Sequence, residues 1–365
     1  MSHNGSRCHS FSPVVDTPSE PVPWSNGNYS WTMITVQKIL ENMLVCPGCH
    51  GALQHQGEGL LCNNAACTSS PRLWPVVNGL PILLDESQSL FRIADLLPTP
   101  GKKSISTAQP IPVFPFIDGP WRRLLSRIWH FRPGLSRNVA AERNNHYLCQ
   151  LLQERPQPVV LVAGCGDEGD GIAQLRSLPQ ITLVNLDVQW TSSVTILADA
   201  QQLPFADQSF DAVVLQGVLE HVLDAAQVER EIYRTLKNDG FIYCELPFLQ
   251  PNHGGAFDLL RFTWTGHRRF WRRFTQLDAG ACCGPGMALA HMIQQFARSW
   301  LPFAGWRLLS DWLTDWLFWW LKYADSWLTR TPAGLDGASA FYFLGRKSDT
   351  ILSDSDLIRN YRGGQ

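Results

Sequence analysis

The feature that most constrains the fold is an apolar run that ends in a glycine-rich bend. Residues 158–163 read PVVLVA, residues 164–171 read GCGDEGDG, and the IAQLRSL that follows has a helical pattern. A second apolar run, ITLVNLDV, reaches Asp187. A strand, a tight turn, a helix and another strand are typical of parallel sheets that bind ligands at the carboxyl ends of their strands. The sequence therefore predicts an α/β fold with its crevice at this bend.

The acidic residues of the bend narrow the choice of ligand. The glycines that spell GxGxxG are Gly164, Gly166 and Gly169. This pattern also occurs in dinucleotide-binding proteins, in which a pyrophosphate lies on the helix N-terminus. Here Asp167, Glu168 and Asp170 share that turn, and their charge would repel a phosphate but suits the sulfonium cation of S-adenosylmethionine (SAM). The alternative, in which the acids only cap a helix, stays open.

A longer pattern follows the second apolar run. Residues 196–222 read ILADAQQLPFADQSFDAVVLQGVLEHV, and residues 231–248 read EIYRTLKNDGFIYCELPF. Both stretches resemble class I SAM-dependent methyltransferases, in particular the group with A-D-A-x-x-L-P-F-x-D-x-S-F-D and L-E-H. The resemblance implies a Rossmann-like, seven-stranded methyltransferase sheet flanked by helices. It also implies that the last strand, ASAFYFLGRK, inserts antiparallel into that sheet.

The same resemblance assigns the donor site. The residues that it implies for SAM binding are Gly164, Gly166, Asp187, Asp199, Ala200, Gln216 and Gly217. Asp187 would hold the ribose hydroxyls, and Asp199 with Ala200 would contact the adenine. Gln216 and Gly217 would close the floor of the pocket.

One position departs from the family pattern. The family usually has an acidic residue two positions before the first glycine of the bend, where this chain has Val162. Asp167 or Glu168 are the candidates to replace that acid. The prediction is a SAM-dependent enzyme, and the alternative is a catalytically silent module that recruits partners through its N-terminal segment.

Four cysteines near the N-terminus have the spacing of a metal site. Cys46 and Cys49 form one CxxC pair, and Cys62 and Cys67 follow after twelve residues. Two thiolates on one tight turn can face a second pair across a hairpin and complete a tetrahedron around Zn²⁺. Because four thiolates leave no open position, the sequence predicts a structural zinc rather than a catalytic one.

The residues around these cysteines support a small β-rich zinc ribbon. PVVNGLPILL, after the second pair, reads as two short strands broken by proline and glycine. Residues 42–87 resemble the zinc-ribbon proteins that activate RNA- and protein-modifying methyltransferases, and their bacterial relatives. The resemblance implies an N-terminal ribbon of that family.

Composition and the positions of proline residues predict the domain organisation. Residues 1–40 are rich in Ser, Pro and Asn and are predicted to be disordered, 41–87 form the ribbon, and 88–120 form a proline-broken linker. Residues 121–365 form the methyltransferase domain. A formal net charge of −2 makes nucleic acid a less favoured partner. Since no secretory signal is visible, we expect a cytoplasmic protein, and peripheral binding at the inner face of the membrane is the alternative.

The acceptor side is predicted from the stretch PFLQPNHGGAFDLLRFTWTGH. His253 is the candidate base, because the pKa of histidine lies near neutrality. Asp258 would orient His253 or the substrate, and Arg261 would pair with an anionic group of the acceptor. His221, in LEHV, is a substrate-site candidate. Packing or hydrogen bonding within the loop is the alternative role for each histidine.

A tryptophan-rich segment, 300–328, is predicted to be an amphipathic helix. Its apolar face would carry Leu309, Trp312, Leu313, Trp316, Trp320, Tyr323 and Trp327. Its polar face would carry Asp311, Asp315, Lys322 and Asp325. Recurring charges exclude a continuous membrane span. A membrane surface, the chain's own domain and a dimer contact remain as partners, and the oligomeric state is open.

These patterns together predict a reaction. The sequence favours methyl transfer from SAM to a hydroxyl of a glycan or of a lipid-linked small molecule. RNA-directed and quinone-directed methyl transfer are the alternatives, since relatives of the ribbon favour RNA and the tryptophan-rich segment favours a lipid.

Overall fold

The structure is a computed structural model that describes residues 42–69, 72–96, 132–166 and 169–364. The predicted disordered segment 1–40 and residues 97–120 of the predicted linker lie outside the described residues. The same is true of Asp167 and Glu168, the two candidates to replace the missing acid.

One mixed sheet contains the strands of the described residues. In chain order they are β1 (Leu53–Gln56), β2 (Gly59–Cys62), β3 (Leu73–Val77), β4 (Leu80–Leu83), β5 (Val159–Ala163), β6 (Thr182–Asp187), β7 (Ile196–Ala198), β8 (Phe210–Gln216), β9 (Leu236–Pro247), β10 (Phe274–Cys283) and β11 (Ala340–Lys347). Their order across the sheet is β1-β2-β3-β4-β7-β6-β5-β8-β9-β11-β10. The prediction of seven strands is therefore wrong, because the sheet has eleven.

The extra strands come from the cysteine-rich segment. β4 pairs in parallel with β7, with Ile82 opposite Leu197 and Leu83 opposite Ala198. The segment predicted as a ribbon thus continues the edge of the larger sheet. At the other side, β11 lies antiparallel between β9 and β10, as the resemblance implied.

The central strands are apolar because both of their faces are buried. Along β5, Leu161 and Ala163 belong to one hydrophobic cluster, and Val160 and Val162 belong to the other. Alternate side chains of a strand point to opposite faces of its sheet, so each face has its own core. Val162 is a packing residue of the second core.

Helices cover the two faces. They are α1 (Ile93–Leu96), α2 (Ala141–Gln153), α3 (Ile172–Arg176), α4 (Ala225–Thr235), α5 (Trp264–Phe270), α6 (Pro285–Ser299), α7 (Ala304–Phe318), α8 (Leu321–Leu328), α9 (Pro332–Asp336) and α10 (Asp354–Arg359). Within the described parts of the chain, no helix combines the length and the apolar character that crossing a membrane requires.

The tryptophan-rich segment differs from the predicted single helix. It forms two helices, α7 and α8, which are separated at Trp319 and Trp320. Its acids point inward: Asp311, Asp315 and Asp325 are 8%, 5% and 0% exposed. The large apolar side chains that point outward are Trp300, Phe303, Trp306, Leu309, Leu313, Trp316, Leu317, Trp319, Trp320, Tyr323 and Trp327. We call this set the tryptophan face.

The buried acids point inward because they hydrogen-bond within the helical layer. Asp325 accepts the backbone N–H groups of Gly286 (2.7 Å) and Met287 (2.9 Å), which lie in the first turn of α6 and lack helical partners. Asp315 accepts Nε2 of Gln294 (2.8 Å) and forms an ion pair with Arg132 (3.3 Å). Burial raises the pKa of Asp315 to about 6.

Candidate active site

The glycine bend, residues 164–171, brings the main chain close to its neighbours. Gly164 has φ = +70°, and a Cβ built on it would lie 2.3 Å from Cγ2 of Val218. Gly166 has φ = +40°, a conformation that side chains disfavour. The bend therefore requires glycine at 164 for both conformation and space, and at 166 for conformation.

Asp187 lies at the end of β6 and is hydrogen-bonded to this bend. Its Oδ2 accepts the N–H of Gly166 (2.7 Å) and its Oδ1 accepts the N–H of Gln189 (2.8 Å). The side chain is buried, which raises its pKa, and the backbone hydrogen bonds oppose that rise. A carboxylate has two lone pairs on each oxygen, so each oxygen retains capacity for a further donor.

Asp199 and Ala200 follow β7 and are both buried. Asp199 accepts the backbone N–H of Gln201 (2.9 Å) and the hydroxyl of Ser89 (2.6 Å). Because Ser89 follows β4, the N-terminal part of the chain reaches the residue predicted to contact adenine. Sequence reasoning did not single out Ser89, and only the pairing of β4 with β7 brings it there.

Gln216 and Gly217 stand at the end of β8. Gln216 donates Nε2 to the carbonyl of Asp170 (3.0 Å) and to Oε2 of Glu245 (3.1 Å). The N–H of Gly217 donates to the carbonyl of Glu245 (3.1 Å). The two residues thus connect the glycine bend to β9.

Glu245 is a buried acid beside the bend that sequence reasoning missed. Its oxygens accept Nδ2 of Asn138 (2.9 and 3.0 Å) and the hydroxyl of Tyr243. Burial raises the pKa of Glu245, and these hydrogen bonds oppose the rise. The signal that could have found it is a lone glutamate in the otherwise apolar stretch of β9 that contains Cys244 and Leu246.

Three side chains converge beyond Gly217, and we call them the acceptor cluster: Glu220, His221 and His253. Oε1 of Glu220 lies 3.5 Å from Nε2 of His253 and 3.9 Å from Nε2 of His221. Glu220 is only 1% exposed, whereas both histidines are partly exposed. The two predicted histidines therefore meet at an acid that sequence reasoning did not single out, although it stands in the same LEHV motif.

Asp258 lies behind His253. Its Oδ2 is 3.5 Å from Nδ1 of His253 and accepts the backbone N–H of that residue (2.9 Å). Nη2 of Arg261 donates to the same oxygen (2.6 Å). Burial would raise the pKa of Asp258, but the hydrogen bonds from Arg261 and His253 lower it to about 2. Arg261, predicted to bind an anionic acceptor, is paired with Asp258 in this structure.

An apolar groove opens beside the loop that carries His253. Its volume is about 420 Å³, and its lining includes Phe248, Leu249, Leu289 and Met292. Leu289 and Met292 also belong to α6, whose exposed side continues to Phe296. The groove thus joins the end of β9 to the exposed side of α6.

The four predicted metal ligands come together in the N-terminal part of the sheet. Sγ of Cys46 is 3.6 Å from that of Cys67, and Sγ of Cys49 is 3.6 Å from that of Cys62. All four sulfur atoms lie within 4.8 Å of one another. Zn–S bonds of about 2.3 Å in a tetrahedron separate the sulfurs by roughly 3.8 Å. The donor set fits zinc.

Comparison with known proteins identifies the central part of the chain. Residues 161–244 match the family model described as "Methyltransferase domain". A demethylmenaquinone methyltransferase of Lactobacillus johnsonii is 36% identical over 98 residues, which cover 27% of this chain and 38% of the relative. One of Listeria monocytogenes is 33% identical over 117 residues, covering 30% and 49%. The chain spans less than half the length of both relatives.

Solved structures resemble the fold more distantly. A Haemonchus contortus phosphoethanolamine N-methyltransferase 2 in complex with SAM is 18% identical, with a TM-score of 0.36 over 56% of this chain and 53% of the other. A chain from the complex of the Haloferax volcanii Trm112 methyltransferase activator with a methyltransferase is 20% identical, with a TM-score of 0.36 over 57% and 92%. At these scores neither likeness adds to the assignment, which rests on the family match. Residues 161–244 of this chain are similar to methyltransferase domains.

Proposed function

We propose that this protein transfers a methyl group from SAM to a hydroxyl of a lipophilic or lipid-linked acceptor. The observation that carries the proposal is the contact between the donor pocket and the acceptor cluster. A Cβ built on Gly217 would lie only 3.4 Å from Oε1 of Glu220. The predicted floor of the donor pocket therefore adjoins the residues that would receive an acceptor.

The described residues around the bend suit SAM. Asp187 and Glu245 place two buried carboxylates beside a main chain that glycines keep accessible. Carboxylates attract a sulfonium or ammonium group and repel a diphosphate. When bound, SAM supplies an electrophilic methyl carbon. The roles of Gly164, Gly166, Asp199, Ala200 and the other predicted donor residues are part of this proposal.

The acceptor cluster would prepare the attacking oxygen. In this proposal His253 accepts the hydroxyl proton while the oxygen–carbon bond forms and the carbon–sulfur bond breaks, with its electron pair kept by sulfur. Asp258 positions His253, and Arg261 positions Asp258 in turn. His221 lies across the cluster, where it can contact the acceptor.

The apolar groove supports a lipophilic acceptor. A ring or chain held against Phe248 and Leu249 would present its hydroxyl to the loop that carries His253. The names of the curated relatives, demethylmenaquinone methyltransferases, favour a lipophilic quinone ring as the alternative acceptor. A glycan linked to a lipid combines a hydroxyl and an apolar part in the same way.

We further propose that the tryptophan face binds an anionic lipid bilayer. Tryptophan is favoured at membrane interfaces, and basic side chains favour anionic headgroups. Arg307 and Arg330 are exposed in and next to this segment, and the three acids of the segment are buried, with Asp311 paired to the exposed Arg298 (3.5 Å). The acids, which in the sequence argue against an anionic surface, are thus turned away from it.

The cluster of four cysteines would hold a structural zinc. Replacing one ligand, as in Cys62→Ser, should release the metal, which can be counted in the purified protein. Because β4 pairs with β7, the loss should also disturb Asp199 and weaken SAM binding. A variant that keeps one zinc per chain would contradict this site.

Calorimetry with SAM tests the donor proposal, and transfer of labelled methyl groups to a lipid extract tests the acceptor class. We expect binding of SAM and label in the organic phase. No binding at millimolar SAM would contradict the donor proposal. Label found only in water-soluble products would contradict the lipophilic acceptor.

Flotation with vesicles of phosphatidylglycerol or of phosphatidylcholine tests the membrane proposal. Wild type should float with the anionic vesicles, and a variant with serine at Trp300, Trp306 and Trp327 should not. Ile358→Ser, at a site 70% exposed elsewhere, is the matched control. Dimerisation that depends on the three tryptophans, without vesicle binding, would identify a second copy as the partner instead.

A further inference from the structure

We propose that Glu220, His221 and His253 bind one divalent transition-metal ion. Their candidate ligand atoms all lie within 4.8 Å of one another. Two imidazoles and one carboxylate are a common ligand set for zinc, iron and related ions, and imidazole disfavours magnesium. This site is separate from the four cysteines and would use different chemistry.

The hydrogen atoms on the two imidazoles support this assignment. Nδ1 of His221 lies 2.9 Å from the carbonyl of Phe257, which can only accept, so that nitrogen carries the hydrogen. Nδ1 of His253 faces Oδ2 of Asp258 at 3.5 Å. Nε2 of His221 therefore presents its lone pair toward Glu220. The tautomer of His253 with its hydrogen on Nδ1, on the side of Asp258, would do the same. Histidines that bind metals are commonly oriented by a carbonyl or carboxylate in this way.

Glu220 itself is an independent indication. Its side chain is 2% exposed, and its Oε2 has no hydrogen-bond partner among the described residues. Burying a carboxylate oxygen without a partner is costly. With hydrogen on both Nδ1 atoms, the two Nε2 atoms are acceptors as well and cannot relieve that cost. A cation bound by this carboxylate and by the two Nε2 atoms would neutralise the buried charge of Glu220.

The distances fit such an ion. Ligand bonds of about 2.0–2.1 Å in a tetrahedral site separate the ligand atoms by roughly 3.4 Å. The two separations from Oε1 of Glu220, 3.5 and 3.9 Å, exceed this by a few tenths of an ångström. Three protein ligands leave a position for an oxygen of water or substrate.

This inference rests on the proposed function and refines it. A hydroxyl bound at the open position has its pKa lowered by the cation, so its proton can leave to water. The resulting oxygen then attacks the methyl carbon. His253 acts as a ligand instead of a base, and Asp258 acts as a positioning residue for that ligand.

Metal binding can be measured on the full chain with its cysteine-bound zinc retained. Mn²⁺ would be titrated by electron paramagnetic resonance and Zn²⁺ by calorimetry. We expect one further ion per chain, with affinity reduced at least tenfold by Glu220→Gln or His253→Gln. Asp258→Asn should retain the site but weaken it about 10- to 100-fold. Glu154→Gln, at the exposed residue after α2, and His146→Gln, at an exposed residue of α2, are matched controls that should bind as wild type does.

SAM calorimetry on the same samples separates the two proposals. If wild type binds SAM but no ion beyond the first zinc, the metal site is refuted and the methyltransferase proposal stands. Binding of the ion that survives both Glu220→Gln and His253→Gln also refutes the site. If the ion binds but SAM does not, the site stands and its catalytic use fails.

Discussion

The site that we propose has a donor half and an acceptor half, which are built differently. The donor half consists of main chain and short buried side chains at the ends of β5, β6 and β7, with Asp187 held by two backbone N–H groups. The acceptor half consists of longer side chains on a loop after β9 and on the segment after β8, held by one another. The sheet holds the donor half in place, and a network of charged side chains holds the acceptor half.

This difference matches the ligands that we propose. The donor is one fixed molecule, and main-chain geometry at the end of a parallel sheet recognises it with little freedom to vary. The acceptor differs among methyltransferases, and loops on a rigid scaffold can change without loss of the fold. Substitutions in the donor half should therefore affect SAM binding, and those in the acceptor half should affect turnover and local stability.

The largest effect is expected for Asp187→Ala. It removes the carboxylate that fastens Gly166 and would hold the ribose, so SAM affinity should fall about 100-fold, or roughly 3 kcal/mol. Calorimetry measures the change. Asp239→Ala, at an exposed residue paired with Arg155, is the control. Equal SAM affinities of Asp187→Ala and wild type would contradict the assignment of Asp187 to the donor half.

A smaller effect, on stability, is expected for Arg261→Gln. Asp258 has an ordinary pKa of 3.8, which the fold lowers to about 2. Its ionised form therefore stabilises the fold fully at pH values above 3.8, and this contribution is lost as the pH falls through about 2. Without Arg261 the fold should lose about 2 kcal/mol at pH 7, and the deficit should shrink toward pH 2. Urea unfolding of both proteins at pH 6 and pH 3 measures this. SAM affinity should stay as in wild type. A parallel loss of SAM affinity would contradict the separation of the donor half from the acceptor half.

The glycine bend allows a finer comparison. Ala at 164 meets both an unfavourable φ and the Val218 side chain, whereas Ala at 166 meets only an unfavourable φ, with no atom within 4 Å. Gly166→Ala should cost about 1 kcal/mol, and Gly164→Ala should cost more. Thermal unfolding and SAM titration of the pair test this order, which equal effects would contradict.

The smallest effect on stability is expected for Trp300→Ser. This side chain is 73% exposed, so the free energy of unfolding should change by less than about 0.5 kcal/mol. Vesicle binding should nevertheless weaken. A loss of several kcal/mol would show that the tryptophan is covered by part of the chain itself.

Much of the donor half was predictable because its signals are local. The apolar run at residues 158–163 forms β5 (Val159–Ala163), and the run that reaches Asp187 forms β6 (Thr182–Asp187). Apolar runs identify strands buried on both faces, and glycines identify the bend between them. Glu245 was not predicted as a site residue, because its hydrogen-bond partners Asn138 and Gln216 lie far from it in the sequence.

The tryptophan-rich segment shows where periodicity is insufficient. The helical spacing separates its acids from most of its tryptophans, with Trp312 half-buried, but it does not say which side faces the protein. The structure turns the acids inward, since Asp325 meets the first turn of α6 and Asp315 meets Gln294. The amphipathic pattern was local information, and the choice of face depended on partners elsewhere in the chain.

By itself the sequence determined the α/β class, the similarity of residues 161–244 to methyltransferase domains and the grouping of four cysteines, because short spacings and long motifs encode them. Only the tertiary structure joined the cysteine-rich strands to the main sheet and placed Ser89 on Asp199. It alone brought His221 and His253 to Glu220. The physical reason is that strand pairing and buried charge networks join residues distant in the chain, and no local pattern records such contacts.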